Sequence, residues 1–289
     1  MLTETNERQN TMSKMKIVAD SSANLLTLPG MDFASAPLKI IAAEREFVDD
    51  ANLNVEEMVA FFDNYKDKSK TSCPNPGDWL EAFGDAEEVF CVTITSGLSG
   101  SYNSACVAKE MYEGEYSGRR VFVIDSLSAG PELTLIIEKL QELIGAGCDY
   151  DSICEKIRQY TRKTGLLFAL ASLKNFAANG RVPMAVAKIA GLLGIRIVGK
   201  ASNQGTLQLL NKSRGEAKAL EKLLEHLRSD GFCRGKVRIA HCRNEAAANR
   251  FAEMVREVFP EADIAISRCL GLCSYYAEVG GLLVGYEKL

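Results

Sequence analysis

Apolar and polar positions alternate in short blocks along this chain. Met15-Lys-Ile-Val-Ala-Asp20 is apolar and ends in the polar turn Asp20-Ser21-Ser22, a first strand and its exit. Phe33 to Ile41 is a second apolar segment, which Pro37 marks as irregular or near a sheet edge. Asn54 to Phe62 has helical spacing, with Asn54 as N-cap and Met58, Val59 and Phe62 on one face. Asn75-Pro76 opens another helix with proline at its first position, carrying Trp79, Leu80 and Phe83. Val89 to Ile94 reads as a buried strand, Ser101 to Tyr112 as a helix and Arg120 to Asp125 as the next strand. Glu132 to Ile144 is a helix closed by Gly145-Ala-Gly147.

From Asp149 the organisation changes. Asp149 or Asp151 starts a helix that runs to Arg162, and Leu166 to Leu170 is a strand. A weakly polar helix over Ala185 to Leu193 follows. Ile195–Val198 and Thr206–Leu210 pair as a hairpin through the turn Asn203-Gln-Gly205. Helices over Glu216–Leu227 and Glu245–Val258 alternate with strands over Lys236–His241 and Ala262–Ser267, and Leu282–Tyr286 is a last strand. The expected fold is α/β in two domains. Residues 1–14 form a flexible extension. Residues 15–165 form a three-layer α/β/α domain with a mostly parallel sheet, and 166–289 an α+β domain with a mixed sheet.

Composition narrows the function classes. A net charge of -4 and a pI near 5.5 give no support for a nucleic-acid surface. No apolar run reaches the roughly 20 residues that cross a bilayer. The first 14 residues lack the apolar core of a signal peptide, so a cytoplasmic location is expected. Nine scattered cysteines, an odd number, argue for free thiols in a reducing compartment. Cys269 and Cys273 lie close together, but with no matching His or Cys pair nearby no metal is expected.

The candidate chemistry lies at strand ends. Asp20-Ser21-Ser22, Thr95-Ser96 and Asp125-Ser126 each follow a strand, and in a parallel sheet such ends share one crevice. Thr71-Ser72-Cys73-Pro74 and Thr95-Ser-Gly-Leu-Ser-Gly-Ser101 gather hydroxyls and backbone N–H groups as an anion cradle would. Thr71 and Ser96 equally suit plain helix caps, and Asp20 and Ser126 plain strand-end anchors. Neither turn brings a nucleophile–base pair, Gly-x-Ser-x-Gly is absent, and the chain has two histidines. The phosphate-loop element Gly-Lys-Ser/Thr is also missing. No catalytic residue, metal or cofactor is assigned. The pattern favours holding an anion over cleaving one, with an enzyme acting on a small anionic substrate as the alternative.

The ordered set of motifs resembles the DegV family of bacterial fatty-acid-binding proteins. It comprises Ile17-Val-Ala-Asp-Ser-Ser22, Lys70-Thr-Ser-Cys-Pro74, Thr95 to Ala105, Val123-Ile-Asp-Ser126, Gly180-Arg-Val182, Gly191 to Arg196 and Lys212-Ser-Arg-Gly215. The resemblance implies a long-chain fatty acid whose tail lies in an apolar tunnel to which residues 166–289 contribute. Its carboxylate is held by hydroxyls matching Thr71 and Ser96, with Ser72 and Thr95 adjacent. It also implies presentation of the acid to a separate kinase of the dihydroxyacetone-kinase type, for phospholipid synthesis. Phe168, Phe176, Leu192, Leu193 and Ile195 are the tunnel-lining candidates. Where the family often places a histidine near the C-terminus, this chain has Tyr276, while Gly280 is kept. A tyrosine donates a hydrogen bond but brings no positive charge. Arg181 and Arg196 are the candidate sources of charge. A regulatory protein with lipid as a structural co-ligand is a third reading.

Overall fold

The structure is a computed structural model and describes residues 14–43, 45–190 and 194–288, with no side-chain description at 189–190. The expected extension at 1–14 lies outside the described residues apart from Lys14. Strands β1 (Met15–Asp20), β2 (Phe33–Ala36), β6 (Glu88–Thr93) and β7 (Arg120–Asp125) form a parallel sheet ordered β2-β1-β6-β7. The two-residue period of a strand divides its side chains between two cores. Ile17, Ala19, Phe90 and Val92 pack against α4 (Pro131–Gly145) and α5 (Tyr150–Tyr160). Val18, Val89 and Cys91 pack against α2 (Pro76–Phe83) and α3 (Ser101–Glu115), where Trp79, Phe83 and Tyr112 are buried. These are the three layers expected of the first half.

The second half is built on a mixed sheet. It contains β8 (Thr164–Leu170), β9 (Ile195–Ala201), β10 (Leu207–Arg214), β11 (Gly235–His241), β12 (Ala262–Arg268) and β13 (Leu282–Glu287). Their order is β10-β9-β8-β13-β11-β12, antiparallel throughout except between β11 and β12. Leu167 and Ala169 face α8 (Glu216–Ser229) and α9 (Glu245–Val258), while Phe168 and Leu170 face the opposite core. The helix α4 belongs to both halves. Its first turn lies on β13 at Gly285, where any β carbon would come within 2.6 Å of the Pro131 carbonyl oxygen. Farther along, Glu138 takes a two-pronged hydrogen bond from Arg238 of β11 at 2.6 and 2.8 Å.

Three features depart from the expected pattern. Phe33 to Ile41 is not one element: after Ala36 the chain leaves the parallel sheet at Pro37, which has no N–H to offer a ladder. It resumes as β3 (Lys39–Ala42), which pairs antiparallel with β4 (Arg45–Val48) and β5 (Ser69–Ser72). Thr71 therefore sits on a strand and not in a turn. The third departure is α10 (Gly271–Ala277), which is buried almost throughout and so carries no amphipathic period to read. The helix expected over Ala185–Leu193 is seen as α7 (Met184–Ala190). Residues 191–193 lie outside the described residues.

A buried carboxylate fixes the start of α10. Asp49 accepts from Gly271 N and Leu272 N, both at 2.8 Å, and is 1% exposed. Burial outweighs these bonds and pushes its carboxyl up to about 6. A carboxyl raised in the folded state favours folding while protonated. Its contribution is fully present below about pH 4 and lost as pH rises through about 6. Over that window Asp49 should remove about 3 kcal/mol of stability. Urea unfolding at a series of pH values should show this slope in the parent protein and a flatter one in Asp49→Asn.

Candidate functional site

The small sheet, the head of α3 and α10 converge on a cavity of about 330 Å3. Its apolar wall includes Leu38, Ile94, Leu166, Phe168, Leu170, Phe176, Leu207 and Leu283. Phe168 can lie across this wall because its neighbour on β9 is Gly199, where a β carbon would come within 2.6 Å of Phe168 Cε2. The polar part is made by Thr71, Ser72, Cys73, Thr95, Ser99, Ser128, Arg181 and Tyr276.

Thr71 and Tyr276 form the best-defined polar pair. Their hydroxyls are 2.8 Å apart and either can donate. When the tyrosine donates, the threonine proton is free to turn into the cavity. Phe176 stacks on Tyr276 with ring centroids 4.6 Å apart, which fixes the tyrosine ring. Burial raises the Tyr276 phenol above its usual range, against the lowering effects of Thr71 and of the Arg181 charge. Tyr276 therefore stays neutral and keeps its proton. Arg181 donates from Nε to Leu98 O at 3.1 Å and from Nη1 to Asn179 O. Asn179 in turn accepts from Thr71 N at 3.2 Å and donates to the Tyr275 hydroxyl at 2.9 Å. Among the described residues Arg181 has no carboxylate partner. It is a cation lining an otherwise neutral cavity wall.

Thr95 and Ser96 have separate tasks. Thr95 is buried and lines the cavity, but its hydroxyl donates to Gly205 O at 2.8 Å and accepts from Gly97 N at 3.0 Å. Ser96 is exposed, does not line the cavity, and bonds Asp125 through both Oγ (2.5 Å) and N (3.1 Å). Asp20 has no exposed surface, and its oxygens accept from Ser22, Ile94 N and Ser101 Oγ. It anchors the strand ends and does not face the cavity. Ser126 opens instead on a second cavity. Arg196 pairs with Glu216 at 3.3 Å, beside the turn at Gly280. Phe168 and Phe176 line the cavity, Ile195 packs in the neighbouring core, and Leu192 and Leu193 lie outside the described residues. Among the described residues no cluster of three or more His, Cys, Asp or Glu could hold a metal.

A family model for the uncharacterised proteins of the DegV family matches residues 14–288. The chain belongs to the DegV family. A DegV domain-containing protein of Streptococcus pneumoniae is 45% identical over 276 residues, covering 94% of this chain and 98% of the relative. Two solved DegV-fold structures superpose with a TM-score of 0.93. One is a DegV family protein from Eubacterium eligens loaded with heptadecanoic acid, 43% identical, with 95% of this chain and 100% of that one covered. The other is the S. pneumoniae fatty acid kinase (Fak) B3 protein loaded with linoleic acid, 44% identical, with 95% and 99% covered.

Several parts of this DegV site have no local signature. Asn179 and Tyr275 orient the head of the cavity, and Ser128 lines it with a buried side chain. Gly205 reads in sequence only as a hairpin turn, yet it seals the cavity across more than a hundred residues of chain. Its φ is +69°, and a β carbon there would overlap the Thr95 hydroxyl and lie 3.1 Å from Leu127 Cα. Gly205→Ala should therefore cost roughly 2–4 kcal/mol, combining left-handed backbone strain with overpacking. Gly118→Ala, with φ +89° and nothing within 4 Å, should show the backbone part alone. Denaturant midpoints of the two variants measure the difference.

Proposed function

We propose that this protein is a non-catalytic carrier that binds one long-chain fatty acid and presents it to a separate fatty acid kinase in the cytoplasm. The observation that carries the proposal is the chemistry of the cavity. Leucine, isoleucine and phenylalanine side chains make its apolar wall, and the Thr71–Tyr276 pair and Arg181 provide donors at its polar part. An acyl tail gains about 0.8 kcal/mol per buried methylene, so most of the affinity comes from the tail. The carboxylate must still be paired when it leaves water. A neutral hydroxyl pair with one guanidinium meets that need without a deep charge trap.

The relatives support the same reading. Two DegV proteins more than 40% identical to this chain carry fatty acids in the corresponding fold, and one of them is named as a fatty acid kinase component. We assign the carboxylate to Thr71, Tyr276 and Arg181, with Ser72 at the rim. Thr95 serves first as the clamp to Gly205, and Ser96 as a partner of Asp125. This division departs from the family pattern, which puts Ser96 on the carboxylate.

Native mass spectrometry of the purified protein, with extraction of what is released, should find one fatty acid per chain. Thr71→Val should weaken acyl binding about 10- to 100-fold, the range for a lost hydrogen bond to a charged group. Ser96→Ala should change it by less than about twofold, as befits a surface hydroxyl. An empty protein that takes up no added fatty acid would overturn the carrier reading. The opposite ranking of the two variants would return the carboxylate to Ser96.

A further inference from the structure

Leu127, Leu166 and Ala201 line the acyl cavity and also line a second cavity, of about 590 Å3. The chemistry on the two sides differs. Arg158, Arg162 and Lys288 converge on the second cavity, together with the polar side chains of Thr161, Ser202 and Asn203. Among the described residues none of the three cations forms an ion pair.

The cations reach the cavity from two parts of the chain, and Arg158 and Arg162 are exposed. Arg158, in the last turn of α5, lies over the Phe122 ring at 4.5 Å, and Phe122 lines the same space. Arg162 follows on the next turn. Lys288 comes from the far end of the chain and crosses β8 at Gly165, where a β carbon would come within 2.6 Å of Lys288 Cε. The carbonyl end of α5 suits a cation and accounts for Arg158 alone. It does not account for a lysine brought in from just beyond β13.

Two acidic groups face this cavity and offset only part of its positive charge. Asp125 is committed to Ser96 and to Leu127 N. Glu132 is buried, accepts from Thr164 Oγ1 at 2.7 Å, and burial favours its neutral form. The balance of charge around this recess is positive, which favours an anion at low ionic strength. Guanidinium groups match tetrahedral oxyanions with paired donors, and three cations suit a dianion better than a single carboxylate.

We propose that this second cavity binds a small, soluble phosphate-type dianion, held by Arg158, Arg162 and Lys288 with Asn203 as a hydrogen-bond donor. The acyl cavity and this site share a wall but not a ligand. Isothermal titration of the full chain with inorganic phosphate and with glycerol 3-phosphate, at low ionic strength in a phosphate-free buffer, tests it. One equivalent should bind, at least tenfold more weakly in the Arg162→Gln/Lys288→Gln double variant. Binding should stay unchanged in Arg214→Gln/Lys218→Gln, which removes two cations elsewhere. Circular dichroism and the unfolding midpoint check that the variants are folded. No binding of either probe to the parent protein, or equal loss in both double variants, would overturn the proposal.

Discussion

Asp20 is the constraint on which the site depends. Its carboxylate sits at the end of the first strand with no exposed surface, and its two oxygens receive donors from three segments. Ser22 belongs to the turn that follows β1, Ile94 to the end of β6, and Ser101 to the start of α3. A buried carboxylate left without those donors would cost several kcal/mol, so the three segments are held to one arrangement. The Thr95–Gly100 loop is pinned at both ends by this group. Neighbouring Ser21 accepts from Leu38 N at 3.0 Å, which ties the chain entering the small sheet to the same point. The walls of the cavity are thus registered to a group that does not line it.

The layers of the fold are legible in the sequence wherever one face of an element differs from the other. Ile17 and Ala19 against Val18, and Leu167 and Ala169 against Phe168 and Leu170, are read out by two-residue alternation once a strand is assigned. Asn54, Asn75 and Asp149 cap helices as their residue types imply. What local pattern does not carry is partnership. The antiparallel pairing of Thr71 with Ile40 is fixed by distant strands, and α10 is buried on too many sides to show a period.

The site shows the same division. That the strand-end turns meet follows from parallel-sheet topology, and several of the DegV motifs fall on segments that line the cavity. Which hydroxyl faces inward is decided by a single step of backbone direction. Thr95 and Ser96 are adjacent and chemically alike, yet one is buried against the β9–β10 hairpin and the other is bonded to Asp125 at the surface. No local rule separates them, because the deciding contact is Gly205. The basic cavity was equally hidden: Arg158 and Lys288 are 130 positions apart, and their meeting depends on an absent side chain at Gly165.

On the proposed carrier reading, Tyr276 carries a consequence for how an acid is held. A histidine in this place would titrate near neutrality and let the grip on a carboxylate follow the acidity of the surroundings. A buried phenol bonded to Thr71 has no such transition within the range a cell visits. The hydroxyl pair at this end of the cavity therefore keeps one charge state through ordinary swings in proton concentration.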